Sequence, residues 1–393
     1  MTRRAESIRI QVLSPVPTPY RDPFWATLAS LRGVELQALY CARGKADRPW
    51  KASGQANLDQ RLLRGLNLLA WRGRSASLFW NPGTTASLSR FAPQVVVIVG
   101  YNHLSMLMAM IWCRRRRVPY VLLCETHRQD DGTGLRAWLR RRLLRWVLGG
   151  AGGALPTGRL AHAFIRARSR DTLPTESIPN VPDVAALMPL AEKRADGQLG
   201  SEDGRSVLFV GRFVEQKQIR DLLHAFAALD EKIRGSSRLE LVGDGVQRPA
   251  LEQLARDLGI AAQVRFCGFL DPAAVVDKYR SADVFVLPSA ETWSVAAVEA
   301  VAAGLVTILS DRVGAATDLR DELRLEAVKV FRHGDRAGLA ALLGSALRAG
   351  RQRLPADGRE DKLADWCYAP LARRARAFLV RVALEDDRRR CTQ

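Results

Sequence analysis

Cysteine and histidine are both scarce in this chain of 393 residues, which has six cysteines and five histidines. The cysteines are scattered, with no C-x-x-C pair and no Cys/His spacing of the kind that holds a metal; they are Cys41, Cys113, Cys124, Cys267, Cys367 and Cys391. Single scattered cysteines are typical of proteins from reducing compartments. The pattern therefore predicts a reducing compartment and no structural zinc.

Long uninterrupted apolar runs are also rare. Residues 1–13 carry charges but no apolar stretch of signal-peptide length, so we expect a cytoplasmic protein. Residues 95–113 lack Lys, Arg, Asp and Glu and precede four arginines, which resembles a membrane span. Because residues 100–103 (GYNH) interrupt this run, a strand at Val95–Val99 followed by a helix at Leu104–Cys113 explains it better.

What the chain has in excess is positive charge. Its 60 Lys and Arg residues outnumber 41 Asp and Glu, giving a formal net charge of +19, with arginine clusters at 114–117, 140–142 and 388–390. Such a balance indicates an anionic partner, namely a nucleotide, an acidic membrane surface or a nucleic acid. Charge alone does not choose among the three.

Short apolar strands alternate with helical segments along both halves of the chain. This alternation predicts an α/β protein with parallel sheets, and the length favours two domains. The stretch 191–205 is polar and rich in Gly, Glu and Asp, which is typical of a linker.

The most informative stretch is 282–304, ADVFVLPSAETWSVAAVEAVAAG. Asp283–Leu287 is predicted to be a buried strand, and Ser294 is a good N-cap for a helix that ends at Gly304. The first N–H groups of a helix that follows a parallel strand form an anion site. Glu291 and Glu299 flank that site, and carboxylates suit hydroxyl groups better than phosphate. The pattern indicates a ligand with both phosphate and hydroxyl groups, such as a nucleotide sugar.

Two cations follow another strand, Val207–Val210. Arg212 offers a bidentate guanidinium and Lys217 a point charge, and together they can neutralise a diphosphate.

These motifs resemble those of the family 4 retaining glycosyltransferases (glycosyl transferases group 1), which have the GT-B fold. The resemblance lies in the Glu-x7-Glu motif of Glu291 and Glu299, the Gly-Arg pair at Gly211 and Arg212, and Lys217, and it is strongest over residues 178–319. It implies two Rossmann-like doubly wound domains that face each other across a cleft. The expected division is 1–190 for the acceptor domain, 191–365 for the nucleotide-sugar domain, and 366–393 for a helix crossing back toward the first domain, with a frayed tail from Glu385.

The resemblance also implies roles for single residues. Arg212 and Lys217 are expected to bind and stabilise the leaving diphosphate, Glu291 the donor sugar and Glu299 the ribose. Ser294 and Val295 are expected to bind phosphate through the helix N-terminus, and Gly268 to face the base. The family usually has Gly where this chain has Ser294 and Gln218, which puts close approach of the sugar and the shape of one turn in question.

The chemistry implied is retaining transfer of a hexosyl group from a UDP- or GDP-sugar to a hydroxyl acceptor of a lipid-linked or cell-envelope glycan. The chain contains no Asp-x-Asp motif, the usual metal site of the other main transferase fold, so no metal is expected. Retention by front-face attack is the first expectation, and a covalent intermediate on Glu291 is the second.

The first half offers weaker candidates. Tyr20 and Arg21, in a Pro-rich loop after the first strand, are candidates for contact with acceptor or donor phosphate, and a rigid connector is equally consistent. His127 follows the strand 120–123 and could orient or deprotonate an acceptor hydroxyl, although a lone histidine at a strand end is often structural.

The segment Leu135–Leu148 mixes Trp and Leu with five arginines. It suits a helix lying on an anionic bilayer, and equally an ordinary amphipathic helix with a solvated arginine face.

A function of a different class is a degenerate transferase that acts as a basic peripheral binder of membrane or nucleic acid. The net charge and the departures at Ser294 and Gln218 favour it, whereas the presence of all four polar donor residues opposes it. No aromatic-basic nucleic-acid module is recognisable, so nucleic acid is not an expected partner.

Overall fold

The computed structural model describes residues 7–44, 57–70, 77–125, 133–169, 172–195, 204–349 and 358–391. The chain divides into two compact units, one comprising Met1–Asn180 with Tyr368–Gln393 and the other Val181–Cys367. Each unit is an α/β domain with its own parallel sheet, as the alternating pattern predicts.

The described strands are, in chain order, β1 (Ile8–Ser14), β2 (Val34–Tyr40), β3 (Asp59–Leu62), β4 (Leu66–Asn67), β5 (Phe79–Trp80), β6 (Val95–Val99), β7 (Tyr120–Cys124), β8 (Gly153–Pro156), β9 (Arg205–Val210), β10 (Ser237–Val242), β11 (Val264–Gly268), β12 (Val284–Leu287), β13 (Val306–Ser310) and β14 (Val328–Phe331).

The described helices are α1 (Asp22–Ala29), α2 (Thr84–Phe91), α3 (Leu104–Arg116), α4 (Gly134–Gly149), α5 (Arg159–Arg166), α6 (Val184–Ala195), α7 (Ile219–Ala227), α8 (Glu231–Gly235), α9 (Arg248–Asp257), α10 (Pro272–Ser281), α11 (Val295–Ala302), α12 (Gly314–Thr317), α13 (Arg336–Arg348), α14 (Arg359–Ala364) and α15 (Tyr368–Cys391). A 3-10 turn (Glu215–Lys217) and a π-helical turn (Asp318–Glu322) complete the set.

The two six-stranded sheets have equivalent strand orders. The first runs β3-β2-β1-β6-β7-β8 and the second β11-β10-β9-β12-β13-β14, with every pairing in both sheets parallel. β4 and β5 form a separate antiparallel pair. Both sheets reverse direction of strand addition at their centre, between β1 and β6 and between β9 and β12. These reversals are the doubly wound switch points at which ligands of open α/β sheets bind.

The central strands are buried along their length, as the short apolar runs predict. All five residues of β6 (VVVIV) and all four of β12 (VFVL) are buried. Parallel strands covered by helices on both faces have continuous apolar sequences for this reason.

The segment that superficially resembles a membrane span folds as a strand, a loop and a helix, β6 and α3. Within the part of the chain that the structure describes, no helix combines the length and the apolar character needed to cross a membrane.

Three element boundaries differ from those predicted. Helix α6 occupies part of the expected linker, because Val184, Leu187 and Leu190 recur at helical spacing and are buried. The expected domain boundary at 190/191 lies inside this helix, whereas the units divide at 180/181.

Helix α15 packs against α1 and β6 of the first unit and stays helical to Cys391, beyond the predicted fraying at Glu385. No Gly or Pro occurs in residues 371–391, so nothing in that sequence breaks the helix.

Gly243, just after β10, lies where the backbones at the edge of the second sheet are in close contact. Its φ is +131°, and a Cβ at this position would lie 1.9 Å from the carbonyl oxygen of Gly211. Gly243→Ala should therefore lower the free energy of unfolding by about 2–3 kcal/mol, because both backbone strain and a clash result. Urea denaturation measures this change.

The matched control is Gly235→Ala in α8, where nothing lies within 4 Å of the added methyl group. That variant should be neutral or more stable by up to about 1 kcal/mol, since Ala favours a helix. Equal destabilisation of both variants would contradict the packing argument.

Candidate functional site

The predicted donor residues lie at the carboxyl edge of the second sheet. β9 and β12 are neighbours at its switch point, and the loops that follow them carry residues 211–218 and 288–294. The helices that follow these two strands cross over on opposite faces of the sheet. In doubly wound sheets this arrangement leaves a crevice outside the strand ends. The geometry of the fold thus brings together segments separated by more than seventy residues of sequence.

Two hydrogen bonds to backbone carbonyls tie the two loops together. The N–H of Ala290 donates to the carbonyl of Gln216 over 3.1 Å, and the Gln216 side-chain amide donates to the carbonyl of Ala290 over 2.6 Å. This reciprocal pair fixes the next residue of each loop, Lys217 and Glu291, side by side.

Lys217 and Glu291 form an ion pair. The Lys217 Nζ lies 2.7 Å from Glu291 Oε2, and the two side chains are only 13% and 18% exposed. Ser289 donates its hydroxyl to the other oxygen, Oε1, over 2.8 Å. An ammonium has three N–H donors, so a bond to Glu291 leaves capacity for an anionic ligand. Both predicted residues are therefore held at one point of the crevice.

A third loop supports Glu291 from behind. Its N–H donates to the Arg312 carbonyl over 3.1 Å, and its own carbonyl accepts from the N–H of Gly314 over 2.9 Å. A Cβ on Gly314 would lie 1.9 Å from the Thr292 carbonyl oxygen, so the two loops touch through their backbones. Glu291 thus sits on a rigid backbone despite belonging to a loop.

Helix α11 begins at this point, as the sequence predicts. Ser294 is its N-cap, and the Ser294 hydroxyl accepts from the N–H of Ala297 over 3.2 Å. The Ser294 backbone is extended, with φ −167°, a conformation open to any residue. The replacement of the family's usual Gly therefore causes no backbone strain. The first N–H groups of the helix, including that of Val295, have no partner within the helix and mark an anion site.

Glu299 lies in the second turn of the same helix and is not a simple exposed glutamate. Tyr279, a fully enclosed side chain on α10, donates its hydroxyl to Glu299 Oε2 over 2.8 Å and lies 3.3 Å from the Ala296 carbonyl. Burial raises the pKa of the Glu299 carboxyl, and the hydrogen bond from Tyr279 lowers it. The phenol thus favours the ionised carboxylate and orients it.

The remaining predicted donor residues occupy the same edge. Arg212 is partly buried on the loop after β9. Gly268 ends β11 with φ +69°, and its carbonyl accepts from the N–H of Gly243 over 2.8 Å. Gln218 adopts the left-handed conformation, φ +50°, so the turn keeps the shape that Gly usually provides, at some cost in strain.

In the first unit the Pro-rich loop has a structural role. Arg21 is buried and forms an ion pair with Glu125, while its Nε donates to Asn180 Oδ1 over 3.2 Å. Asn180 in turn donates to Glu125 over 2.5 Å, and the Arg21 guanidinium lies 5.4 Å from the centre of the Tyr20 ring. Arg21 is thus held in a network within the unit, which agrees with the alternative of a rigid connector, and its contact with a phosphate stays a prediction. His127 lies outside the described residues.

Four residues at or beside these two sheet edges are not singled out by any of the sequence motifs. Tyr279 contacts Glu299 and Gln216 contacts Ala290 through tertiary hydrogen bonds, which no local motif predicts. Ser289 and Glu125 stand directly beside predicted positions at strand ends, so strand-end polarity is the signal that points to them.

A family comparison matches most of the second unit. Residues 192–327 match the family model described as glycosyl transferases group 1. D-inositol 3-phosphate glycosyltransferase of Nocardia farcinica is 34% identical over 188 residues, which are 46% of this chain and 42% of that protein. An uncharacterized glycosyltransferase of Methanocaldococcus jannaschii is 36% identical over 123 residues, 31% of each chain. The chain thus spans less than half the length of these curated relatives.

Solved structures resemble the whole chain. HepE of Anabaena in complex with UDP has a TM-score of 0.71 at 16% identity, covering 95% of this chain and 99% of that one. Sucrose-phosphate synthase of Thermosynechococcus elongatus has a TM-score of 0.69 at 18% identity, with the same coverage.

At such identities these likenesses establish the fold, which is that of the GT-B glycosyltransferases. The predicted donor residues at the switch point lie within the matched segment 192–327. The chain therefore has the GT-B fold, and its residues 192–327 match the model of the glycosyl transferases group 1.

Proposed function

We propose that this protein transfers a hexosyl group from a UDP- or GDP-sugar to a hydroxyl acceptor, with retention of anomeric configuration and without a metal. The observation that carries the proposal is the Lys217–Glu291 ion pair beside the N-terminus of α11. A cation and an anion site there suit a diphosphate, and a carboxylate in contact with them suits sugar hydroxyls.

The donor has one group for each element of the site. Arg212, Lys217 and the N–H groups of Ser294 and Val295 bind the diphosphate. Glu291 is assigned to the sugar, Glu299 to the ribose hydroxyls and Gly268 to the edge of the base. HepE, which shares the fold, has been solved with UDP, with UDP and glucose, and with UDP-glucose, which supports a nucleotide-sugar donor.

The reaction breaks the bond between the anomeric carbon and the diphosphate oxygen and forms a bond to the acceptor oxygen. Arg212, Lys217 and the helix N-terminus stabilise the negative charge that develops on the leaving diphosphate, which is the work a metal does elsewhere. In front-face attack, a diphosphate oxygen accepts the proton of the acceptor hydroxyl. Both Glu291 oxygens accept hydrogen bonds, from Lys217 and Ser289, which favours a binding role over covalent attack.

The acceptor is proposed to be a lipid-linked or cell-envelope glycan, bound by the loops of the first unit, where His127 remains a candidate for orienting the hydroxyl. The protein is proposed to work in the cytoplasm at the inner face of the cytoplasmic membrane. A non-catalytic basic binder is less favoured, because the four polar donor residues lie on one edge of one sheet. Nucleic acid is not a proposed partner.

A ligand panel tests the proposed donor. Thermal unfolding and calorimetry are measured with UDP, GDP, ADP and their sugars, all in EDTA. One diphosphate should raise the unfolding temperature progressively with its concentration, since a ligand that binds only the folded state stabilises it by mass action. No response to any nucleotide, together with tight, steeply salt-dependent retention of random DNA, would instead support a nucleic-acid binder.

Lys217→Ala should slow transfer by about 10²–10³-fold, because it removes charge stabilisation of the leaving group. Steady-state kinetics with the nucleotide sugar identified by the panel measures the loss. Lys232→Ala, an exposed lysine in α8, is the matched control and should keep the wild-type rate. Near-wild-type turnover of Lys217→Ala would remove the mechanistic proposal.

Tyr279→Phe should shift the pH dependence of nucleotide binding. The phenol hydrogen bond lowers the Glu299 pKa, so its loss raises that pKa further above the ordinary carboxyl value. As the pH falls, Glu299 becomes protonated sooner, and the variant should lose affinity at a higher pH than the wild type. Calorimetric titration of the nucleotide across mildly acidic pH checks this shift.

Tyr368→Phe in α15 removes a hydroxyl elsewhere and should leave the pH profile unchanged. Superimposable profiles for wild type and Tyr279→Phe would show that Tyr279 has only a packing role.

A further inference from the structure

Helix α4 has two apolar faces rather than one. The first faces the core of its unit through four buried residues, which are Ala137, Leu144, Val147 and Leu148. The second consists of Leu135, Trp138 and Leu139, whose exposed fractions are 70%, 45% and 51%. We call these three residues the exposed stripe.

The two faces lie on opposite sides of the helix. Successive helical residues are separated by about 100° around the axis, which places the exposed stripe and the buried face about 180° apart. Trp146, further along α4, falls on the same side as the stripe but packs against the core and Arg114, so the exposed stripe is confined to the first half of the helix. An ordinary amphipathic helix needs only the buried face, and its opposite side is polar. The alternative of an amphipathic helix packed on its own sheet therefore accounts for the buried half of α4 and leaves the stripe unexplained.

Arginines border the exposed stripe on both sides. By the same helical geometry, Arg136 and Arg140 fall on one flank and Arg141 and Arg145 on the other. Arg142 lies within the stripe, and its guanidinium is 5.5 Å from the centre of the Trp138 ring. Residues 134–149 contain no Asp or Glu. Arg114 at the end of α3 stacks on Trp146 of α4, with its guanidinium 4.8 Å from the centre of the ring, and so adds a cation next to this helix.

We propose that this face of α4 docks on an anionic phospholipid bilayer, with the exposed stripe in the headgroup region and the arginines on lipid phosphates. Apolar side chains bordered on both sides by basic ones are the pattern of a helix that lies in the plane of a membrane interface. Arginine side chains can bury their stems and keep their guanidinium groups at the phosphates. Charge selects the occupant: a second copy of this basic chain would place like charges face to face, whereas an anionic surface is complementary.

This inference deepens the membrane part of the proposed function and involves no donor-site residue. Vesicle binding and nucleotide binding can therefore succeed or fail separately.

Flotation of the full chain with phospholipid vesicles tests the proposal. The wild type should float with vesicles that contain phosphatidylglycerol and remain unbound to pure phosphatidylcholine. The Leu135→Ser, Trp138→Ser, Leu139→Ser triple variant should weaken binding by at least about tenfold, because apolar side chains no longer enter the interface. The Arg140→Glu, Arg141→Glu double variant should weaken it by about fivefold or more per arginine and reduce its salt dependence.

Matched controls change the same residue types elsewhere. Leu384→Ser alters an exposed leucine of α15, and Arg238→Glu with Arg256→Glu alters two exposed arginines of the second unit. Both controls should bind anionic vesicles like the wild type. Circular dichroism and the UDP or GDP stabilisation assay establish that every variant is folded.

The proposal is overturned if the wild type ignores anionic vesicles, or if it binds neutral and anionic vesicles equally. It is also overturned if the stripe variant binds as well as the wild type, since another surface would then be responsible. Sedimentation velocity addresses the remaining occupant: a dimer that dissociates in the stripe variant would assign this face to self-association.

Discussion

The candidate donor site depends on the two hydrogen bonds to backbone carbonyls that join the loops after β9 and β12. Gln216 and Ala290 bond reciprocally, and this constraint places the ammonium of Lys217 against the carboxylate of Glu291. Neither loop alone contains a site. The adjacency of β9 and β12 in the sheet is what makes the contact possible, so the chemistry follows from the strand order.

The two units use the same edge of the same sheet topology differently. In the second unit, the edge holds charges that are only partly buried and retain hydrogen-bonding capacity. In the first unit, Arg21, Glu125 and Asn180 satisfy one another in a network in which the arginine is buried. Separating Arg21 from Glu125 would leave an uncompensated buried charge, so this network fixes the geometry of the Pro-rich loop. The Pro-rich loop is accordingly held in a fixed position within the first unit.

Much of the fold, and the placement of the candidate site residues at one sheet edge, could be predicted from local pattern. Strands such as β6 and β12 are continuous apolar runs, and Glu291, Ser294 and Glu299 stand at spacings set by one strand, one loop and one helix. The hydrogen bond of Tyr279 to Glu299 could not be predicted, because it joins two helices whose approach depends on packing. The pairing of Arg21 was missed for the same reason, and α6 was missed because Pro189 and the polar residues after it resemble a linker.

The ion pair of Lys217 and Glu291 affects which ligands the candidate site can accept. Each charge already has a counterion, so inorganic phosphate can bind the remaining N–H donors of Lys217 only with the Glu291 carboxylate beside it, which repels a second anion. A nucleotide sugar compensates both, offering phosphate oxygens to the ammonium and hydroxyl donors to the carboxylate. Under the proposed function, the internal counterion therefore disfavours simple anions and favours ligands in which phosphate and sugar are joined at a fixed distance.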